Sequence, residues 1–301
     1  MKILVTGSSG LVGSHLVPVL RTLGHHVVRL VRDKSRMAEG LAYWDPAGGQ
    51  VDAAALHECD AAVNLAGESI AAGRWSEKRK QAIRTSRTSA TRAIAQALAA
   101  LPPKRRVLVN ASAIGFYGPR GDELLDESSA TGSGDFLSGV CRDWESATGP
   151  AAQAGIRVVL ARFGVILSRQ GGALKKMLLP FSLGLGGKVG SGRQYMSWIA
   201  IDDVVGAIVH CLATDSLAGP VNVVAPEPVT NLEFTKSLGR VLARPTILPM
   251  PAFAARAAFG QMGQELLLTG QRVEPARLLG SGYTFKFPEL ETALRHVLAK
   301  Q

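Results

Sequence analysis

Cysteine is scarce in this 301-residue chain: Cys59, Cys141 and Cys211 are widely separated and lack metal-ligand spacing. That excludes a disulfide scaffold and a paired-cysteine zinc site, and it fits a reducing cytosol. His15, His25 and His26, on or just after the first helix, give no metal pattern either. No apolar run reaches membrane length, and the N-terminus enters a strand directly, without the pattern of a signal peptide. A cytoplasmic protein without a membrane partner is therefore expected. Acidic residues are in deficit, 24 against 34 Lys and Arg, for a net charge of +10. The basic residues are scattered, and the densest cluster, Lys104-Arg105-Arg106, falls between a helix and a strand, where a solvated turn is the default. The excess charge reads as general solubility or as attraction for anionic ligands such as phosphates, and no nucleic-acid partner is expected. With 47% hydrophobic and 19% charged residues the chain has the means for a substantial core. Its length suits one large domain, or a large and a small one.

What is present begins at residue 1. Lys2 to Val5 is a short β-prone run that breaks at Thr6-Gly7, and Gly7, Gly10 and Gly13 then recur every third residue before a helical pattern. A strand–turn–helix with these glycines holds a dinucleotide. Gly7 permits the tight turn, Gly10 lets backbone approach a pyrophosphate, and Gly13 lets the helix lie close to the strand. The helix N-terminus then directs free N–H groups and the positive end of its dipole at the phosphates.

Apolar residues from Leu11 to Leu23 share one helical face, interrupted by Pro18, and Gly24 is placed to close the helix. A buried strand from Val27 to Val31 ends at Arg32, with Lys34 and Arg36 close behind. An enzyme that prefers NAD usually carries an acidic residue at this strand end, to bond the ribose hydroxyls. A cationic end suits the 2′-phosphate of NADP, against the blander alternative of surface charge after a strand. Further strands are expected at Leu41–Trp44, Ala61–Leu65, Val107–Ala111 and Arg157–Phe163. Long helices are expected over Ser76–Leu101 and from about Phe136 to Ala154. Strands alternating with helices mean an α/β fold, a Rossmann-type doubly wound parallel sheet covered on both faces. The ligand then belongs at the strand C-termini, where Gly7, Arg32, Ala66, Ser112 and Phe163 fall. Beyond Gly164 the alternation loosens. A short strand at Trp198–Ile201, a helix capped by Asp202, a strand at Val221–Val224 and a capping box at Thr230/Glu233 precede helices at about Pro251–Phe259 and Pro288–Ala299. The expected division is a dinucleotide-binding domain over 1–167, completed by 198–225, with a smaller substrate lobe from 168–197 and 226–301. No repeat or low-complexity linker appears.

The segments ThrGlySerSerGlyLeuValGly at 6–13, AsnLeuAlaGly at 64–67, SerAlaIleGlyPheTyrGly at 112–118 and TrpIleAlaIleAspAsp at 198–203 resemble an extended short-chain dehydrogenase/reductase in order and spacing over essentially the whole chain. More narrowly, AsnLeuAlaGlyGlu at 64–68, ArgTrp at 74–75, SerArg at 86–87 and LeuProPheSerLeuGlyLeuGlyGly at 179–187 are similar to the atypical NAD-dependent epimerase/dehydratase group of the YfcH/SDR39U1 type. So are GlySerGlyArgGln at 190–194 and the stretch from Gly280 to Leu290. The resemblance implies NADP as cofactor. It would be held by Thr6, Gly7, Ser9, Gly10, Leu11, Val12 and Gly13, by Val31 and Arg32, and by Leu65, Ala66 and Gly67. Contacts from Arg87 on the long helix and from Val165 after the sixth strand complete the implied set. A guanidinium at 87 would reach ribose or phosphate oxygens, although a solvated helix arginine is an equal alternative.

Most members of that superfamily move a hydride with a Ser/Thr–Tyr–Lys set, Tyr and Lys standing four apart on a helix so that both face the cofactor. Ser112 fits the first role. At the expected Tyr and Lys positions stand Phe136 and Val140, neither of which transfers a proton. Tyr117 is the candidate replacement. It needs a cationic neighbour to act near neutrality, and only Lys175 or Arg193 could be brought up by folding; a packing role is the other reading. Cys141, flanked by apolar residues, reads as buried filler. Asp126-Glu127 reads as structural. On the substrate side Arg193, in a Gly-rich loop, would pair with a phosphate or carboxylate, or else mark a lid hinge. Two functions follow: an NADP-dependent oxidoreductase or epimerase on a small, sugar-nucleotide-like or anionic substrate, or a non-catalytic NADP(H)-binding sensor or structural module. Oligomeric state stays open between monomer and homodimer.

Overall fold

The computed structural model describes residues 1–299, the side chain of Arg36 excepted, so Lys300 and Gln301 at the end of the expected substrate lobe lie outside the described residues. Eight strands build the principal sheet: β1 (Lys2–Thr6), β2 (His26–Val31), β3 (Leu41–Asp45), β4 (Gln50–Val51), β5 (Ala61–Asn64), β6 (Val107–Ala113), β7 (Arg157–Phe163) and β8 (Gly219–Val223). Their order is β8-β7-β6-β5-β1-β2-β3-β4, all parallel except the β3–β4 hairpin. The chain starts in the middle and winds outward in both directions. The reversal falls between β1 and β5, whose register sets Thr6 opposite Asn64. Ligands of open parallel sheets bind in the crevice at such a reversal.

Alternation along the strands feeds two cores. Ile3 and Val5 pack with Leu16 and Leu20 of α1 (Leu11–Thr22) on one face, where a later helix, Ile201–Ala213, adds Val204 and Ile208. Leu4, Leu30, Ala62 and Leu108 pack on the other face against Ala90, Ile94 and Leu98 of α2 (Glu77–Ala99). Side chains two apart share a face, so one strand supplies both layers. A separate apolar core joins Leu174 and Phe181 of the helix Gly172–Ser182 with Phe234 and Leu238 of Asn231–Leu242 and Leu294 of Leu290–Leu298.

Most expected elements are present, with three differences of physical interest. The helix expected over 136–154 is two: α3 (Phe136–Ser146) and a short turn of helix, Gly149–Gln153. Pro150 has no N–H to continue the ladder back to residue 146. Asp202 does not cap the helix after the strand Trp198–Ala200; Ala200 holds that position, and Asp202 lies in the first turn. A helix at Gln261–Leu267, which the sequence pattern did not announce, extends the C-terminal region beyond Ala252–Phe259. The capping box at Thr230/Glu233 forms as expected.

Candidate dinucleotide cradle and adjoining cavity

The turn after β1 is built so tightly that Gly7 and Gly13 have no room for a side chain. Gly7 adopts φ +62°, and a Cβ there would stand 2.6 Å from the Leu65 carbonyl oxygen. A Cβ at Gly13 would stand 2.4 Å from the Gly7 carbonyl oxygen, because α1 lies directly on the turn. Gly10 donates its amide to Gly7 O at 2.9 Å and is the N-cap of α1, with no side-chain cap and no acidic residue in the first turn. The first-turn amides around Leu11 and Val12 are thus left for an outside acceptor, and the dipole favours an anionic one. Ser9 is exposed on this turn. Ser8 beneath it is buried and accepts a hydrogen bond from Arg29 Nε at 3.1 Å, a second-strand support that the sequence did not signal.

Thr6 serves the cradle indirectly. Its hydroxyl donates to Asn64 Oδ1 at 2.6 Å and accepts from the amides of Leu65 and Ala66 at 3.0 and 3.2 Å. With its capacity spent inside the protein, Thr6 fixes the loop Leu65–Gly67 rather than reaching a ligand with its side chain. Asn64 in turn donates to Thr91 and Asn110 at 2.8 and 2.7 Å, so a buried polar network braces the crevice from behind. Val31 ends β2, Arg32 beyond it is exposed, and no carboxylate pairs with Arg32 among the described residues. Lys34 instead lies over the Tyr43 ring, 4.5 Å from its centroid.

Arg87 leans on the cradle from α2. A Cβ on Gly67 would lie 3.3 Å from its guanidinium carbon, and the guanidinium sits 5.0 Å from the Trp144 ring centroid. Its guanidinium donates to the Ile83 carbonyl at 3.0 Å, and no carboxylate pairs with it among the described residues. Burial pushes its pKa down from the ordinary arginine value. A half-buried cation without a counter-ion stores a desolvation cost that an anion would relieve.

Ser112 and Tyr117 turn out to belong to a different structure. Ser112 is 1% exposed and donates to Glu145 Oε1 at 2.6 Å. Glu145 clamps Arg162 of β7 through two bonds of 2.8 and 2.9 Å, and Arg162 donates to the Tyr117 hydroxyl at 3.0 Å. Tyr117, with no exposure at all, donates onward to Asn222 Oδ1 at 2.7 Å. The cationic neighbour that Tyr117 required is therefore present, but it is Arg162 rather than Lys175 or Arg193. Burial raises the phenol's pKa despite that charge, so Tyr117 stays protonated at neutral pH. The sequence carried one trace of this: an arginine inside a strand buried on both faces, where apolar residues are the rule. Glu127 is drawn in as well, accepting from the amides of Asn222 and Arg277 at 2.9 and 3.2 Å, while Asp126 closes its own turn on Ser128 and Ser129.

Beside the cradle a cavity of about 740 Å³ opens between the strand ends and the C-terminal helices. Its wall includes Ala113, Ile114, Phe163 and Val165 from the sheet side, and Met250, Met262 and Glu265 from the other. Neither Ser112 nor Tyr117 lines it, whereas Val165 and Cys141 do. Cys141 is no reactive thiol: burial pushes its pKa up to about 12. Arg193 is exposed and outside the wall; its neighbour Gln194 lines it instead. Phe136 packs edge-on to Trp75 with centroids 5.0 Å apart, Val140 is buried, and Glu265 accepts from the Phe136 and Leu137 amides at 3.2 and 3.1 Å. At the head of α3, where the superfamily sets its tyrosine, this chain places a carboxylate from the C-terminal region. Among the described residues no His/Cys/Asp/Glu group could hold a metal. No helix among them is long and apolar enough to cross a membrane.

A doubly wound parallel sheet with a glycine cradle at its reversal defines a dinucleotide-binding α/β protein, and comparison with known proteins narrows this. The NAD dependent epimerase/dehydratase family matches residues 3–224, and a domain of unknown function, DUF1731, matches residues 250–297. The chain belongs to the NAD-dependent epimerase/dehydratase family. It is 47% identical over 296 residues to the epimerase family protein Mb2239 of Mycobacterium bovis, covering 98% of this chain and 97% of that one. It is 40% identical over 303 residues to human epimerase family protein SDR39U1, covering 99% and 100%. The crystal structure of human SDR39U1 with NADPH superposes with a TM-score of 0.90, at 38% identity and 99% of both chains. A nucleoside-diphosphate sugar epimerase from Corynebacterium glutamicum gives 0.82 at 39% identity, covering 99% of this chain and 58% of that one.

Proposed function

We propose that this protein binds NADP(H) and acts as an oxidoreductase or epimerase on a small molecule held in the cavity beside the cradle. The observation that carries the reading is that both sites lie at the C-terminal edge of one parallel sheet: uncapped α1 amides at Gly10–Gly13 after β1, and a walled space of about 740 Å³ at the ends of β6 and β7. Residues 1–167 with 198–225 are taken as the cofactor-holding domain, and 168–197 with 226–301 as the lobe that closes the second site. The dinucleotide fits the chain's own geometry, since Gly7 and Gly13, with no room for a Cβ, let α1 lie directly on the turn and leave its first-turn amides without a side-chain cap. Gly7–Gly13 would hold its pyrophosphate, Arg32 its 2′-phosphate, Leu65–Gly67 and Arg87 its adenosine side, and Val165 its nicotinamide end. When bound it would supply a hydride. The NADPH in the human relative and the cationic end of β2 both favour the phosphorylated cofactor.

The chain's residues would orient the ligands and exclude water. Ser112 and Tyr117, tied to Glu145, Arg162 and Asn222, hold the floor of the site in shape. A non-catalytic NADP(H) module is the second reading. It is favoured by Phe136 and Val140 at the acid/base positions and by the burial of both hydroxyls. Absorbance at 340 nm with NADPH against a panel of carbonyl compounds, together with isomer analysis of nucleotide sugars incubated with the oxidised cofactor, separates the two. Oxidation of NADPH by one compound or isomerisation of one sugar is expected; tight NADPH binding with neither would leave the module.

A further inference from the structure

The cavity's electrostatics point to a ligand class. Its wall is dominated by side chains such as Ile114, Leu137, Met177, Met196, Phe234 and Leu266. The one cation among the lining residues, Lys176, is exposed and donates its ammonium to the Ala71 carbonyl, while two carboxylates, Asp135 and Glu265, face the same space. Asp135 Oδ2 is buried and without a partner among the described residues. Both carboxylates already hold the amides at the head of α3, so a pyrophosphate there would find those donors taken and two like charges beside it.

The polar groups of the wall are largely committed to the protein. Gln194 Nε2 donates to the carbonyls of Val189 and Leu267 at 2.9 and 2.8 Å. Asn231 Oδ1 accepts from the Val189 amide at 2.8 Å, and Ser197 Oγ donates to Gln271 O at 2.8 Å while accepting from the Val273 amide at 2.9 Å. Tyr195, Thr235 and Gln271 keep side-chain groups without such a bond among the described residues, a few polar points on an otherwise apolar wall rather than the dense set a nucleotide and its sugar would engage. The apolar character continues outward. Lining residues Leu185 and Leu248 are themselves exposed, and Leu179 and Ile247, next in sequence to the lining Pro180 and Leu248, are 70% and 74% exposed. Exposed apolar side chains gathered at a pocket are the mark of an apolar entrant.

We infer that the second ligand is a neutral, predominantly apolar molecule with one or a few oxygen functions, such as a medium-chain ketone or alcohol, and not a nucleoside-diphosphate sugar. The inference rests on the proposed function only in taking this cavity as the second-ligand site. The test is displacement of Nile red from the full-length protein by 2-decanone and by UDP-glucose, with NADPH binding measured on the same sample by calorimetry. 2-Decanone is expected to displace the dye at a concentration at least about tenfold below that of UDP-glucose. Leu185→Asp should weaken 2-decanone about tenfold, while Leu279→Asp, an exposed leucine elsewhere on the surface, should not. Equal or tighter binding of UDP-glucose, or no effect of Leu185→Asp beyond that of Leu279→Asp, would overturn the inference. Displacement by 2-decanone with no NADPH binding would instead remove the cofactor reading and leave the apolar pocket.

Discussion

At the end of β2, Arg32 is exposed and has no carboxylate partner among the described residues. Replacing it with Ala removes a charge-assisted contact worth about 1.5–3 kcal/mol if a 2′-phosphate sits there. NADPH affinity should therefore fall about tenfold or more in calorimetry, while NADH affinity changes little; equal losses for both would mean that Arg32 touches no 2′-phosphate. Other candidates met a different fate. Ser112 and Tyr117 carry the right functional groups, yet both hydroxyls end in a closed set of hydrogen bonds. Sequence names a side chain but not its direction. Whether a serine faces a ligand or a glutamate 33 positions away depends on the packing of α3 against β6.

The β1–turn–α1 element is the part most legible in advance, because local geometry alone dictates it. The three glycines answer to backbone contacts within seven residues and to the neighbouring loop at Leu65. Gly13→Ala would push a methyl group to 2.4 Å from the Gly7 carbonyl oxygen, and neither backbone can yield without opening the turn. A loss of about 1–3 kcal/mol in urea unfolding is expected, together with at least about a tenfold loss of NADPH affinity. Gly73→Ala, where an added methyl meets nothing within 4 Å, should change stability by less than about 0.5 kcal/mol. By contrast, the helix Gln261–Leu267 was invisible to periodicity. It is only seven residues long, flanked by glycine on its N-terminal side, and its place is set by Glu265 reaching the amides at the head of α3.

Across the whole molecule, the Glu145–Arg162 pair links α3, β7, the Tyr117 turn and β8 through Asn222. Glu145 is 9% and Arg162 3% exposed, so removing one partner strands a buried charge. Glu145→Ala should cost about 3–5 kcal/mol in urea unfolding, and a double replacement, Glu145→Leu with Arg162→Met, should recover most of that loss. A loss below about 1 kcal/mol in the single variant would show that water reaches the pair. Such links join residues far apart in the chain, and here the two sources of information part. Sequence alone determined the parallel α/β sheet, the cradle and the cationic strand end, because strand periodicity, turn sterics and charge at an element's end are short-range matters. Tertiary structure alone decided that Arg162 is the partner of Tyr117 and that Gln194, not Arg193, lines the cavity. It also set two carboxylates and an apolar wall where an anion-binding site was expected. Those outcomes depend on which long-range contacts desolvate which groups, and no local pattern encodes that. The glycines at the N-terminus thus follow from turn geometry that is local in sequence, while the wall of the cavity follows from the packing of the C-terminal region.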